Sequence, residues 1–580
     1  MKYESIGKFK EDLLEYLNKE KEYIEDDIKS DEALSDDEKV DKGIIIKEVS
    51  LRERCEESGV YVMNVSENNT KLSVGDKAFL CSDGEKIDIQ VLQNDAEQLK
   101  VYSDTEISSE RIYRLQVNRN VLLDPMIAFA EKIEDGAPGS FWFEILTGIS
   151  QPEKKGYRPI ENSAVITISK DFNDSQRRAC IDCLKRPDLY CIQGPPGTGK
   201  TDVLAAIANC YSRNNREVLI ICNTHYAVNN ALNKIHKINP TLTISKIGDV
   251  LKGDGLNDGI VRCANYNDYL NSRKLRYKPR KNTVTNDIVG MTVQSAIVNI
   301  GLRKSNFMPN VVLIDEAGQI PFTHGALIGA FKSSSIIFIG DDRQMPPIFH
   351  EKLKEHPFSI SIFTYLTLKY PDFKSVLTTT YRMNAEITEI VSKNYYEPYG
   401  IRLFASDFSA NRTLVVKSNH PDDRIKRILT SDKSVHIFDV SKEILWKDDN
   451  YEEADFIADL VKECFTCGIA SKNFAIVTPY RRQVKAIRER VRNICSLTDG
   501  QDLPLIDTVE RLQGQDVDMI IISLCTTDPD YLSKERSFIY NENRMNVMIS
   551  RAKRKVVLLR KLLATTCMDV LHDSFIPARK

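Results

Sequence analysis

Eight consecutive residues, Gly194-Pro195-Pro196-Gly197-Thr198-Gly199-Lys200-Thr201, have the types and spacing to hold a polyphosphate. They fit the pattern G-x-x-x-x-G-K-[ST]. Glycines let the backbone turn tightly enough for its N–H groups to converge on phosphate oxygens at a helix N-terminus. Lys200 supplies a point charge for the β- and γ-phosphates, and the Thr201 hydroxyl suits Mg²⁺. Further along, Leu313-Ile314-Asp315-Glu316 ends an apolar run in two carboxylates. The first can hold the metal, and the second can take a proton from an attacking water. Gly340-Asp341-Asp342-Arg343-Gln344-Met345-Pro346-Pro347 is a polar loop after another apolar run, and Gln344 in it can reach the γ-phosphate or that water. The chemistry expected of these groups together is hydrolysis of a nucleoside triphosphate, with ATP and Mg²⁺ as cofactors.

Strand ends must carry these groups. Leu189–Ile192 is strand-like before the phosphate loop, and Val203–Ala208 is helix-like after it. Apolar runs at 218–221, 288–291, 311–314 and 336–339 alternate with amphipathic stretches, which predicts an α/β fold with a parallel sheet covered on both faces. An excursion over 235–286 separates the first two of these runs. It ends in the basic stretch Arg273-Lys274-Leu275-Arg276-Tyr277-Lys278-Pro279-Arg280-Lys281, readable as a phosphate-backbone contact or as a solvated insertion loop. A second α/β block begins near 375, with strands at 435–438, 474–477, 519–522 and 556–559 and no second phosphate loop. One nucleotide site serving two similar domains is expected.

Upstream, Ile6, Phe9, Leu13 and Leu17 recur at helical spacing, while Ser30–Lys42 reads as an acidic loop or frayed helix. Short runs at 60–62, 78–80, 87–91 and 99–102, punctuated by turns such as Val74-Gly75-Asp76, predict a small β-barrel. The expected units are a helical stalk (1–50), the barrel (51–120), a connecting helical segment (121–171), a first P-loop domain (172–355, insertion 235–286) and a second domain (356–580).

A net charge of −3 provides no global attraction to nucleic acid, so any polyanion site must be a local groove. The thirteen cysteines include two x-x pairs, Cys180/Cys183 and Cys464/Cys467, without a second ligand pair at zinc spacing. Packed thiols in a reducing compartment are expected, and no zinc. The charged N-terminus lacks an apolar signal core, and no run is long enough to span a membrane, so a cytoplasmic protein is expected.

Taken in order, the motifs over ~170–560 resemble those of superfamily 1 helicases, in particular the up-frameshift-like group with its DEAG box and Tyr-Arg-Met signature. The resemblance implies two RecA-like P-loop NTPase-type domains. Phe172-Asn173-Asp174-Ser175-Gln176 is similar to the Q motif, which would make Gln176 an adenine reader. Asn223–Val228 is similar to motif Ia, with Thr224 and His225 at the nucleic acid, and Thr292 lies where motif Ic touches the strand backbone. Asp315–Gln319 corresponds to motif II and Gly340–Pro347 to motif III, with Met345 where Leu is usual. Thr380-Tyr381-Arg382-Met383-Asn384 resembles the motif in which the Tyr stacks on adenine and the Arg reaches the γ-phosphate. Val477–Gln483 matches the next family block. Thr508–Asp516 resembles motif V, implying that Thr508 touches the strand and that Gly514 and Asp516 lie at the nucleotide, with Asp516 where Glu is usual. Asn546–Lys553 resembles motif VI, whose arginine is Arg551.

The implied activity is ATP-dependent translocation or unwinding on single-stranded DNA or RNA, 5′ to 3′, driven by two arginine fingers closing on the γ-phosphate. The alternative is an ATP-switched binding or remodelling component with protein partners in a multi-chain system. Either mechanism expects the guanidinium groups of Arg382 and Arg551 within reach of Lys200, and the carboxyl edges of the two sheets turned toward each other.

Overall fold

Ser5 starts the first helix, α1 (Ile6–Glu32), by accepting a hydrogen bond from the Lys8 N–H, which satisfies one of the amides a helix start leaves unpaired. In the computed structural model of the chain, residues 2–560 are described except 56–58, 67, 71, 73–75, 95–97, 119–122, 135–139, 154–170, 250–252, 254, 277–286, 302–308, 332, 440–443, 496–502, 511 and 513. The expected apolar stripe Ile6, Phe9, Leu13 and Leu17 is buried, joined by Tyr16. Part of the acidic run forms a second short helix, α2 (Asp36–Asp41), closed by a reciprocal Ser35–Glu38 capping box.

Six antiparallel strands then close a barrel in the order β1-β2-β5-β4-β3-β6. They are β1 (Ile45–Arg54), β2 (Val60–Val65), β3 (Lys77–Ser82), β4 (Glu85–Asn94), β5 (Gln98–Tyr102) and β6 (Ile112–Val117). The barrel therefore begins at 45 rather than 51. Its first strand escapes a sequence reading because charged residues fill its outward positions, as in its end, Leu51-Arg52-Glu53-Arg54. Of the turn expected at Val74-Gly75-Asp76, only Asp76 is described.

The first lobe is an eight-stranded parallel sheet in the order β10-β9-β11-β8-β12-β13-β7-β14. Its strands are β7 (Leu189–Gln193), β8 (Val218–Cys222), β9 (Ile244–Ile247), β10 (Val261–Cys263), β11 (Ile288–Thr292), β12 (Val311–Ile314), β13 (Ile336–Gly340) and β14 (Lys374–Val376). Three of the expected boundaries shift. The 235–286 excursion is not an external insertion, since β9 and β10 extend the sheet past β11. Its basic end lies largely outside the described residues; Arg273 is described and pairs with Glu217. The lobe does not stop at 355, because β14 pairs with β7. The N-terminal and connecting segments are layers of this lobe rather than separate units. Leu189 and Cys191 of β7 face a core containing α1, α3 (Leu123–Ala130) and α4 (Ser140–Thr147), whereas Tyr190 and Ile192 face the helix Lys200–Arg213. Each large apolar side chain buried there contributes about 1.5–3 kcal/mol over exposure. Trp142 of α4 also donates its indole N–H to Ala326 O at 3.1 Å.

After a two-strand link, β15 (Thr379–Thr380) with β16 (Phe404–Ala405), the second lobe is a five-stranded parallel sheet, β17-β21-β20-β18-β19. These are β17 (Val435–Phe438), β18 (Phe474–Val477), β19 (Leu505–Asp507), β20 (Val517–Ser523) and β21 (Ala552–Leu559), four of them at the expected places. Alternate residues such as Ile520 and Ile521 enter different cores, so both faces are covered. Among the described residues, no helix is long and apolar enough to cross a membrane.

Candidate nucleotide site between the two lobes

The lobes enclose a cleft of 1220 Å³, and nearly all the residues expected at the nucleotide line it. From the first lobe come Pro196, Gly197, Thr198, Gly199, Lys200, Thr201, Asp315, Glu316, Gln344 and Gln176. From the second come Tyr381, Arg382, Gly514, Asp516 and Arg551. Gly194 and Pro195, the start of the loop, sit behind this lining.

The loop's shape follows from its glycines. Gly197 (φ 72°) and Gly199 (φ 78°) are left-handed, and Gly199 caps the helix Lys200–Arg213. Lys200 folds back and donates to Gly194 O at 2.7 Å. A β-carbon on Gly197 would lie 2.5 Å from Arg382 Cβ, so this loop touches the second lobe directly. Tyr381 N–H seals the contact by donating to Gly197 O at 2.8 Å.

Asp315 follows β12 and is buried. Glu316 is also left-handed at φ 51°, a conformation that costs a non-glycine residue about 1–3 kcal/mol and collects at functional sites. The next turn packs on the motif III loop, where a β-carbon on Gly318 would lie 2.5 Å from Asp341 O. Position 318 thus admits no β-carbon unless the backbone shifts.

In the second lobe, one helix end orients both arginines. The helix Glu542–Ile549 leaves carbonyls unpaired at its C-terminus, where the dipole favours cations. Arg551 Nε donates to Val547 O at 3.2 Å, and Arg382 Nη1 donates to Ser550 O at 3.2 Å. Arg551 Nη2 continues across the cleft to Gln344 Oε1 at 3.2 Å. Asp516 binds Lys553 at 2.8 Å and stands 4.0 Å from Arg382 Nε.

Both halves of the cleft carry charge that is costly to bury. Burial lowers the proton affinity of Arg551, and the neighbouring Arg382 lowers it further; Arg382 itself is lowered by burial, against Asp516 and Glu316. Opposite them, burial and then the Glu316 charge raise the Asp315 carboxyl, with Lys200 opposing. Burial would also raise Asp516, but Lys553, Arg382 and Arg551 together hold it below the usual range. Two crowded guanidiniums favour a polyanion, and two adjacent carboxylates favour a divalent cation. This donor set fits a triphosphate with Mg²⁺, for which Thr201 and Asp315 offer the oxygen ligands.

At one end of the cleft, Asn173 Nδ2 donates to the Tyr381 hydroxyl at 2.9 Å, Tyr381 donates to Gln176 Oε1 at 3.4 Å, and Gln176 Nε2 donates to Thr198 O at 3.0 Å. This chain ties the Q-motif stretch, the phosphate loop and the second lobe together.

The positions expected at a nucleic-acid strand separate. Thr224 and His225 line the same cleft, Thr224 capping the helix His225–Ile238. Thr292 is only 2% exposed, and its hydroxyl accepts from Ser295 N–H at 3.1 Å, so it is turned inward as a helix cap rather than toward a strand. Thr508 follows β19 at the other edge of the second sheet, outside the cleft lining.

The expectation that both carboxyl edges face each other is not met. Arg551 precedes β21, Asp516 precedes β20, and Asn384, beside Arg382, is bonded to Ser434 just before β17. The second lobe presents its amino edge. The cause is the helix Glu542–Ile549, whose C-terminal carbonyls hold the arginines on that side.

Three contributors have no pattern in the sequence. Arg412 Nη1 donates to Tyr381 O at 3.2 Å and to Arg382 O at 3.0 Å, bracing the backbone of the motif. Asn543 Nδ2 donates to Asp342 O at 3.2 Å. Tyr396 donates to Asp341 Oδ2 at 2.6 Å.

Comparisons with known proteins find a separate family match on each lobe. One AAA domain model matches residues 176–350 and another matches 358–561. A DNA replication ATP-dependent helicase/nuclease of Arabidopsis thaliana is 27% identical over 408 residues, covering 68% of this chain and 28% of that protein. An ATP-dependent helicase of Methanocaldococcus jannaschii is 26% identical over 502 residues, covering 72% of this chain and 71% of that one. The chain thus spans less than a third of the plant relative and most of the archaeal one. Among solved structures, an arterivirus nonstructural protein 10 helicase with DNA covers 84% of this chain and 76% of its own at 11% identity, with a TM-score of 0.36. With an AAA domain match on each lobe and ATP-dependent helicases among its relatives, the chain is an ATP-hydrolysing enzyme similar to superfamily 1 helicases.

Proposed function

We propose that this chain is an ATP-driven translocase that moves 5′ to 3′ on single-stranded nucleic acid and unwinds duplex ahead of it, in the manner of the up-frameshift-like group. One observation carries the reading: Arg382 and Arg551 of one lobe open into the same cleft as Lys200, Asp315 and Glu316 of the other. Lys200 and the phosphate-loop amides hold the β- and γ-phosphates. Glu316 accepts a proton from the attacking water, which Gln344 orients. Thr201 and Asp315 would hold Mg²⁺, which when bound would supply positive charge to the phosphate oxygens. Tyr381 stacks on adenine, Gln176 reads it, and Asp516 and Gly514 border the sugar. The two guanidiniums complete the site only when the lobes meet, so loss of the γ-phosphate removes the attraction between them. Repeated closing and opening, with strand contacts near Thr224 and His225, becomes movement. Such contacts go to phosphates and carry little base preference.

ATPase assays with single-stranded DNA and RNA of equal length, followed by unwinding of 5′- and 3′-tailed duplexes, test this. Stimulation by one or both strands and unwinding of the 5′-tailed duplex are expected. The plant relative, a DNA replication helicase/nuclease, favours DNA. ATP-dependent binding without unwinding of either duplex would make the chain an ATP-switched binding component instead.

A further inference from the structure

The motif III loop of the first lobe is gripped by a part of the second lobe that no motif covers. The helix Ala385–Val391 runs into a π-helical turn, Ser392–Tyr396, and local widening of this kind recurs at functional positions. The turn places Tyr396, fully buried, at the junction of the lobes. Its hydroxyl donates to Asp341 Oδ2 at 2.6 Å and accepts from Asn546 Nδ2 at 3.0 Å. The same Asp341 oxygen accepts from Gln344 Nε2 at 2.7 Å, and Gln344 Oε1 accepts from Arg551 Nη2 at 3.2 Å. The chain of bonds therefore leaves the second lobe at Tyr396, crosses Asp341 and Gln344, and returns at Arg551. Asn546 closes the ring, because it lies on the helix whose end holds Arg551.

A glutamine amide can rotate, and which end it presents is set by its partners. Asp341 can only accept while ionised, so it forces the Gln344 NH₂ toward itself and the Gln344 oxygen toward Arg551. Tyr396 and Gln344 supply donors to this carboxylate, and both oppose the rise that burial imposes on it. We propose that Tyr396 is a positioning residue for hydrolysis: through Asp341 it fixes the rotamer of Gln344, and through Gln344 the place of Arg551. The finger is then aligned only when the lobe that carries Tyr396 has docked on motif III.

The Tyr396→Phe substitution keeps the ring and removes the bond. Steady-state ATP hydrolysis by the full chain, with saturating single-stranded DNA or RNA, should show kcat reduced at least tenfold and KM for ATP changed less than threefold. Asp341→Ala, which leaves no acceptor, should show the same split, and the double variant should be no worse than Asp341→Ala alone. Amide exchange over 341–345 should quicken in Tyr396→Phe without nucleotide. Were Tyr396→Phe unable to fold, Asp341→Ala removes the acceptor of the same bond from the other lobe and must show the kcat loss. A Tyr396→Phe kcat within twofold of wild type would overturn the inference. So would a KM rise matching the kcat loss, or independent, multiplying effects in the double variant. The inference rests on the ATP-hydrolysing reading above. A wild-type chain without ATPase would fail that reading, whereas an unaltered Tyr396→Phe would fail this one alone.

Discussion

In the first lobe the residues at the cleft follow their strands. Gly194 comes after β7, Asp315 after β12 and the motif III loop after β13. In the second they come before them, Asp516 ahead of β20 and Arg551 ahead of β21. Similar parallel sheets thus present opposite edges to one ligand site. At a carboxyl edge, helices begin, and their free N–H groups suit phosphate directly. At an amino edge, helices end, and their free carbonyls suit cations. The second lobe therefore reaches phosphate through long arginines anchored on those carbonyls. One lobe can hold nucleotide with its backbone, while the other contributes only side chains that the docked geometry brings into place.

That contrast can be broken from either side. Arg551→Ala should have the largest effect, about 10³–10⁵-fold in kcat. Arg551→Lys should not restore it, since one ammonium cannot replace a planar fork held at Val547 and Gln344 at once. ATP binding, read by filter binding or thermal shift, should survive in Arg551→Ala if the first lobe holds the nucleotide by itself. Glu316→Gln should come next, lowering kcat by about 10²–10⁴-fold with nucleotide affinity kept.

Gly197→Ala probes the contact between the lobes. The left-handed backbone disfavours alanine by about 1–2 kcal/mol, and the new methyl would press on Arg382. A wider spacing between labels placed on the two lobes is expected, with hydrolysis reduced about tenfold, as 1.4 kcal/mol of misplacement would give. Unchanged spacing would mean that the loop does not set lobe contact.

The smallest effect lies at the unused carboxyl edge of the second sheet. There Glu453 is buried, accepting from Ser523 Oγ at 2.5 Å and from Cys525 N–H at 3.2 Å. Burial raises its pKa from 4.5 to about 8. Between those values the unfolded chain has released this proton while the folded chain keeps it. Stability must therefore fall as pH rises through that window and level off above it. Glu453→Gln should remove this portion, gaining about 1–3 kcal/mol on wild type between pH 5 and pH 8 by urea unfolding. Its ATPase should remain unchanged, because this edge faces away from the cleft.

Much of the site is legible in the chain because its chemistry is local. A strand, a glycine loop and a helix start specify the phosphate cradle within a dozen or so residues, and an apolar run ending in Asp315-Glu316 specifies a strand end. Strands with outward charges, such as β1, and very short ones, such as β10, carry too weak an alternation to be read. Tyr396 and Arg412 are silent for another reason: what matters about each is its hydrogen bonds to residues distant in sequence.

The sequence by itself determined which groups could act on a triphosphate, and that two α/β lobes carry them. Tertiary structure alone decided that α1, α3 and α4 complete the first lobe, that its sheet runs on to β14, and that the second lobe offers its amino edge. The reason is range. A backbone turn is dictated by the residues that form it, whereas the edge a sheet presents depends on bonds such as Arg382 to Ser550 and Arg551 to Gln344, which join positions 168 and 207 residues apart.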